Sequence, residues 1–534
     1  MLKRTFTCFF ILFILTACAP AAPTTVPVSA VPVSPTPEAP QLPWWREAIF
    51  YEIFVRSFYD TSGNGIGDFN GITQKLDYLQ ELGINAIWLM PIHPSPSYHG
   101  YDVINYYAVN SEYGTMDDFK HLLEEAHNRD IHIIIDLVLN HTSSRHPWFA
   151  DANSSPNSKY RDYYVWSDSS GGNGWYPLQP EGYYFALFCD CMPDLNYRNP
   201  EVTADMLKIT DYWLNEIGVD GFRVDAAKHL IEEGDIRENT PATHEWYEGF
   251  YVAYKAQNPQ AYTVGEVYGA GANKAKLYTG DQLDQVFNFE MSSGFVNSAA
   301  GGSNTGVNSA ITFALNDMPD FNFGTFLTNH DQNRVMSMLN GNVDKAKVAA
   351  TLMLTSPGTP YIYYGEEIGM QGRKPDEDIR LPMQWSSDQN AGFTTGSPWR
   401  APAQDYQQVN VASQDEDPAS LLNHYRELLE LRRESPALSS LEITLLETGN
   451  SGVYAALRTT AEEKILVLVN LKGTPISDYG LSLEESLLSD GEITPRSLFG
   501  EVDPLPVAVS DGKFSGYKPM DELPPYGMYI LQIE

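Results

Sequence analysis

Short apolar runs alternate with amphipathic stretches along most of this chain. From Trp44 onward, the runs 49–55 (IFYEIFV), 84–90 (INAIWLM), 131–139 (IHIIIDLVL), 219–225, 261–266, 284–289 (DQVFNF), 323–329 and 359–364 (TPYIYY) predict eight strands. Between them, 71–82, 115–129, 200–217 and 343–355 predict helices. Eight strands with intervening helices predict an α/β fold, a (β/α)8 TIM barrel, whose functional side chains gather at the C-terminal strand ends.

Two stretches depart from the alternation. Residues 142–195, rich in Tyr, Trp, Gly and Asn, predict a subdomain inserted after the third strand, its aromatics packing mostly into its own small core. Residues 295–310 (FVNSAAGGSNTGVNSA) read as a Gly/Ser/Asn-rich loop to which no chemistry is assigned. After a helix at about 420–434, strands recur at 442–447, 453–458, 464–470 and 527–533 and predict a C-terminal β-sandwich. The organisation expected is a barrel over 44–141 and 196–435, an insert over 142–195, and the sandwich over 436–534.

At 534 residues the chain is too long for one compact core, which agrees with several domains. It carries 34 basic against 69 acidic residues, a formal charge of −35. That surface argues against nucleic acid and anionic membrane as partners, because phosphate contacts need clustered Lys and Arg. A monomer is expected.

The N-terminus reads as an address. Lys3 and Arg4 precede an apolar stretch, Phe6 to Leu15, too short to span a bilayer, and Leu15-Thr16-Ala17-Cys18 follows. That tetrapeptide resembles the lipobox of bacterial lipoproteins, which implies a signal peptide over 1–17, cleavage before Cys18 and lipidation of its thiol. Residues 18–43, rich in Pro, Ala, Val, Ser and Thr, read as a semi-rigid tether. The expected location is extracytoplasmic, held by a lipid anchor or secreted. Cys189 and Cys191, only two residues apart, read as unpaired loop or buried cysteines, since a disulfide there is expected to be strained.

Three acids close apolar runs: Asp225 in GVDGFRVDAAKH (218–229), Glu266 in AYTVGEVYG (261–269) and Asp331 in FLTNHDQNR (326–334). Strands that end on carboxylates can aim them into one pocket and divide the work of cleaving a glycosidic bond. Arg223 lies two residues before Asp225, on the same strand face, and is expected to keep that carboxylate's pKa low. Glu266 has Val264, Val267 and Tyr268 about it, which predicts a raised pKa suited to a working acid.

DLVLNH (136–141), GFRVDAAKH (221–229), GEVY (265–268) and FLTNHD (326–331) resemble the four short sequence regions of the α-amylase family, glycoside hydrolase family 13. MPDLN (192–196) and GTPYIYYGEE (358–367) resemble two further regions, so that the likeness spans about 44–534 in matching order. It implies a retaining glycosidase in which Asp225 is the nucleophile, Glu266 the general acid/base and Asp331 the stabiliser of the distorted sugar. It puts Tyr101 beneath the sugar with His99 beside it, and gives His141 and His330 bonds to sugar hydroxyls. Asp102 and Arg380 resemble the glucose-capping pair of the α-glucosidase-like branch. Lys228 and His229 resemble the pair that handles the +2 sugar in amylases. The mixture resembles the intermediate bacterial α-amylases, acting on α-glucan oligosaccharides or polysaccharides. An exo-acting α-glucosidase or oligo-1,6-glucosidase, a transglycosylase, or a non-enzymatic glucan-binding lipoprotein are the alternatives.

One metal loop is readable. Asp60, Ser62, Asn64, Ile66 and Asp68 place oxygens at alternate positions of a Gly-rich segment, the spacing by which such loops wrap Ca²⁺. The segment also resembles the calcium loop after the first barrel strand in this family. The resemblance further implies a second Ca²⁺ site at Asn140, Asp194 and His229.

Overall fold

The computed structural model describes residues 43–178, 182–318, 320 and 322–534. The signal segment, nearly all of the tether and Cys18 lie outside the described residues. All eight predicted strands form: β1 Phe50–Ile53, β2 Ala86–Leu89, β3 His132–Leu137, β4 Gly221–Val224, β5 Tyr262–Gly265, β6 Gln285–Phe287, β7 Phe323–Phe326 and β8 Thr359–Tyr363. They close in chain order into a parallel barrel, with β8 paired to β1 through Phe50 and Tyr361.

Side chains alternate across a strand, so one set of every second residue points into the barrel. At the N-terminal end this set is aromatic. Phe50 stacks on Tyr361 at 4.4 Å, Tyr262 bonds the Tyr361 hydroxyl at 2.8 Å, and Trp45 covers Tyr262 from below. A Cβ on Gly324 would lie 2.7 Å from the Tyr361 ring, so this bulky filling requires glycine on β7. One step further along, the inward set turns polar: Glu52, Trp88, Asp136 and Arg223. The barrel is thus a dry aromatic plug beneath a charged layer, and the charged layer faces the C-terminal strand ends.

The insert over 142–195 holds the helix Pro147–Ser154 and a three-stranded sheet of Trp166–Ser167, Tyr183–Phe185 and Trp175–Pro177. Its aromatics pack mainly on one another: Phe149 meets Tyr164 at 4.9 Å, Trp166 at 5.8 Å and Tyr184 at 5.1 Å. Cys189 and Cys191 are joined by a disulfide, contrary to the expectation of free thiols. A tight turn, in which Met192 N donates to Cys189 O at 3.0 Å, brings the two Cα atoms to 5.2 Å, inside the ordinary disulfide range.

Residues 295–310 are also not a loop. They end helix α1 (Phe289–Gly301) and begin helix α2 (Thr305–Asp317). Their small residues, together with the preceding Gly294, are what lets the two helices approach: a Cβ on Gly294 would meet Ala310 Cβ at 2.8 Å. The C-terminal region is a five-stranded antiparallel sheet with two further two-stranded ladders. In its strand Lys464–Asn470, Ile465, Val467 and Val469 join the core shared with the barrel, while Leu466 and Leu468 face the sheet's second layer. Among the described residues no helix is long and apolar enough to cross a membrane.

Candidate active site

Asp225 and Glu266 follow the last residues of β4 and β5, and Asp331 sits five residues beyond β7. All three line one cavity of about 340 Å³ at the C-terminal end of the barrel. His99, Tyr101, His141, Lys228, His229 and Arg380 line the same cavity. The structure therefore brings together six chain segments that sequence spacing alone cannot join.

Arg223 is the hub. Its guanidinium is 1% exposed and donates through Nη1 to Asp225 Oδ1 and to Asp136 Oδ1, each at 2.6 Å. Nη2 donates to Glu266 Oε2 at 2.8 Å. Glu266 Oε2 also accepts from Ala226 N at 3.2 Å, so that Oε1 is the oxygen left to carry a proton. Burial pushes the pKa of Glu266 up, Arg223 opposes it, and the neighbouring Asp225 adds to the rise. The pKa of Asp225 is also raised. The expectation that Arg223 holds it low is corrected here, because burial outweighs the guanidinium and the facing Asp331 adds to it. Asp136, buried in β3, is pushed by desolvation to about 7 despite Arg223.

Asp331 behaves oppositely. Its own burial opposes ionisation, but His330 and Arg380 hold its carboxyl far below the usual range. Arg380 Nη2 donates to Asp331 Oδ1 at 2.9 Å, and His330 Nε2 lies 3.1 Å from Oδ2. His330 Nδ1 meets Glu52 Oε1 at 2.5 Å. Burial disfavours the imidazolium, yet Asp331 and Glu52 together raise it to about 10, so both ring nitrogens donate. His330 also stands 2.7 Å from the Tyr101 hydroxyl, and the two rings lie nearly parallel, 16° apart.

Asp102 is buried beside the cavity and accepts from the hydroxyls of Ser95 and Ser97. Arg380 pairs with Asp331 and Asp376. Lys228 is tied to Glu238. Three contributors were not singled out from the sequence. Glu52 and Asp136 interrupt the apolar strands FYEI and HIIIDL, and a carboxylate inside a buried strand demands a cationic partner. Phe188, next to the disulfide, lines the cavity and is 48% exposed; nothing in its local sequence marks it.

Asp60 and Asp68 are both buried, and among the described residues neither forms an ion pair. Asp60 takes backbone N–H bonds from Ser62, Gly63 and Gly65 and a hydroxyl bond from Thr394; burial opposes its charge, but these donors lower its pKa. Asp68 caps the helix Phe69–Gln74 and accepts from Thr61. Gly65 has φ +90°, and a Cβ there would lie 1.8 Å from Ser397 O, so the loop closes only with glycine. Two buried carboxylates with Ser62, Asn64 and the Ile66 carbonyl form an all-oxygen set, which fits a hard divalent cation.

The second expected set also converges. Asn140 Nδ2 lies 3.2 Å from Asp194 Oδ2 and 2.5 Å from the carbonyl oxygen of His229, whose ring faces Arg237 O instead. His141 is neutral, since burial pushes its pKa down to about 4. Its Nε2 faces the Tyr101 carbonyl and must donate there, so Nδ1 is an acceptor facing the Asn140 amide at 3.0 Å. A neutral His141 therefore wants the Asn140 N–H₂, and turning that amide aims Oδ1 at Asp194 and the His229 carbonyl. Three oxygens about one point then fit a cation. Burial meanwhile pushes Asp194 well above the ordinary carboxylate range.

The comparisons with known proteins agree with this geometry. The family model described as "Alpha amylase, catalytic domain" matches residues 52–440. The chain is 45% identical over 438 residues to Alpha-amylase 3 of Dictyoglomus thermophilum, covering 80% of this chain and 85% of the relative. It is 33% identical over 517 residues to the oligo-1,6-glucosidase of Parageobacillus thermoglucosidasius, covering 81% and 91%. A crystal structure of an alpha-amylase from H. orenii superposes with a TM-score of 0.79 at 38% identity, covering 91% of this chain and 99% of that one.

Proposed function

This chain belongs to the α-amylase family of glycoside hydrolases, and from that membership we propose that it hydrolyses α-1,4-glucosidic bonds of starch and maltooligosaccharides with retention of configuration. The observation that carries the mechanism is the single guanidinium of Arg223 bonded at once to Asp225 and Glu266. A planar fork that holds Asp225 on Nη1 and Glu266 on Nη2 supports the ~5–5.5 Å carboxyl spacing of double displacement.

Asp225 Oδ1 is occupied by Arg223, so Oδ2 attacks the anomeric carbon. Glu266 gives the proton on Oε1 to the departing glycosidic oxygen, and the C–O bond breaks as the glycosyl ester to Asp225 forms. In the second half, Glu266, now a carboxylate, takes a proton from water. The hydroxide adds to the anomeric carbon and Asp225 leaves as a carboxylate. Asp331, held ionised, and the His330 imidazolium bind sugar hydroxyls beside the developing positive charge, with Tyr101 as the platform.

Lys228 and His229 in the cavity wall, and the 45% identical amylase, support endo-action over the α-glucosidase reading. We assign Ca²⁺ to the Asp60–Asp68 loop and to the Asn140, Asp194 and His229 oxygens. Bound there it would neutralise buried carboxylates and fasten the insert to the barrel, and no chemical step passes through it. The sequence near Cys18 supports export and lipid anchoring. The test is a time course of products from soluble starch and maltoheptaose, resolved by chain length. An early spread of short oligosaccharides is expected. Glucose released alone from the chain end would move the protein to the α-glucosidases, and products longer than the substrate to the transglycosylases.

A further inference from the structure

A second cavity of about 660 Å³ opens beside the first, and Tyr268 lines both. Its far wall is the helix pair α1 and α2, built from the Gly/Ser/Asn-rich segment. Its near wall is the loop that Glu266 heads, Val267 to Gly271. That loop is fastened to α1 where Ala272 N donates to Glu290 Oε1 at 2.9 Å. The helices are fixed in turn by the Gly294–Ala310 contact, so the groove between loop and helices is preformed.

The lining is mixed in a specific way. Tyr268 is 58% exposed, yet its ring is held edge-on by Phe289 at 4.9 Å, which leaves a face open to solvent. Phe313 on α2 is 40% exposed across the groove. Between the rings stand Ser293, Asn297 and Ser309, with hydroxyl and amide groups available to a ligand. Aromatic faces interleaved with small polar groups suit a pyranose, which offers a C–H face for stacking and a rim of hydroxyls. Glu266 protonates the oxygen that departs, so the loop that follows it flanks the leaving-group side of the cut.

We propose that this groove binds the leaving-group-side sugars of a long α-glucan that lie beyond the +2 position, with Phe313 as its distal stacking platform. The small residues of 295–310 then have a function: they bring two helices close enough to shape a sugar track. The inference rests on the α-glucan reading above.

The experiment compares maltoheptaose with p-nitrophenyl α-maltoside, whose nitrophenol leaving group has no sugar to reach the groove. Wild-type enzyme, Phe313→Ala and Ser309→Trp are assayed on both. Both altered positions are exposed, so folding is little disturbed. The ratio of kcat/KM for maltoheptaose to that for the nitrophenyl substrate is expected to fall roughly three- to tenfold in Phe313→Ala, the size of one lost aromatic contact, and at least about as far in Ser309→Trp, whose indole fills the groove. An unchanged ratio in both variants overturns the groove while leaving the glycosidase assignment standing. Failure of the wild type to cleave either substrate overturns the α-glucan reading and the groove with it.

Discussion

Arg223 donates to Asp225 at 2.6 Å from two residues earlier on the same strand face, and the same guanidinium reaches Glu266 and Asp136. Three carboxylates so depend on one cation with no exposed surface to speak of. Lysine can supply the charge but cannot bond two partners in fixed directions. Arg223→Lys is expected to lower kcat about 10²–10³-fold with KM little changed. Arg223→Ala strands the buried carboxylates and should cost about 3–5 kcal/mol in denaturant unfolding. Near-wild-type kcat in the lysine variant would remove Arg223 from its role as spacer.

Glu266→Gln separates acid catalysis from nucleophilic attack. Starch needs a proton on its leaving oxygen, whereas fluoride leaves from α-maltosyl fluoride without one. Turnover of starch is expected to drop by about 10²–10⁴-fold, and release of fluoride far less. Equal losses on the two substrates would contradict the assignment of Glu266 as the acid.

His330 gives the alkaline limit its sign. Its pKa is raised to about 10 from an ordinary 6.5, so its contribution to stability is complete below pH 6.5 and disappears as pH rises through about 10. Glu52 supplies part of that rise from inside the barrel. Glu52→Gln is expected to move the alkaline edge of thermal stability down by about one pH unit or more. Melting curves taken from pH 6 to 11 read this directly, and an unmoved edge would show that Glu52 does not hold the proton.

The eight strands and the three acids were legible in the sequence because both obey local rules: apolar period, and a carboxylate at the strand end. The polar layer within the barrel was not. Glu52 and Asp136 sit on different strands from their partners His330 and Arg223, and only barrel closure brings them together. The segment 295–310 misled for a related reason. Gly and Ser score poorly as helix formers, but Gly294, Gly306 and Ala310 are the contact surface of α1 on α2, so packing overrode propensity. Asp225 shows the same limit in electrostatics: its neighbour Arg223 was visible, its burial was not.

Calcium should act on stability before it acts on rate. On the proposed assignment of Ca²⁺ to both carboxylate sets, chelation with EDTA is expected to lower Tm by about 5–10 °C, the scale of a tightly bound ligand withdrawn from a large domain. Asp60→Asn and Asp194→Asn should each remove part of that difference. Superimposable melts in EDTA and in Ca²⁺, with no calcium found by elemental analysis, would contradict both sites.

The most direct measurement of the mechanism is the anomeric configuration of the first sugars released from maltoheptaose, followed by proton NMR before mutarotation sets in. Attack by Asp225 followed by water predicts the α-anomer as the initial product, drifting to the equilibrium mixture only later. A β-anomer appearing first would mean single displacement by water, and would contradict Asp225 as the nucleophile.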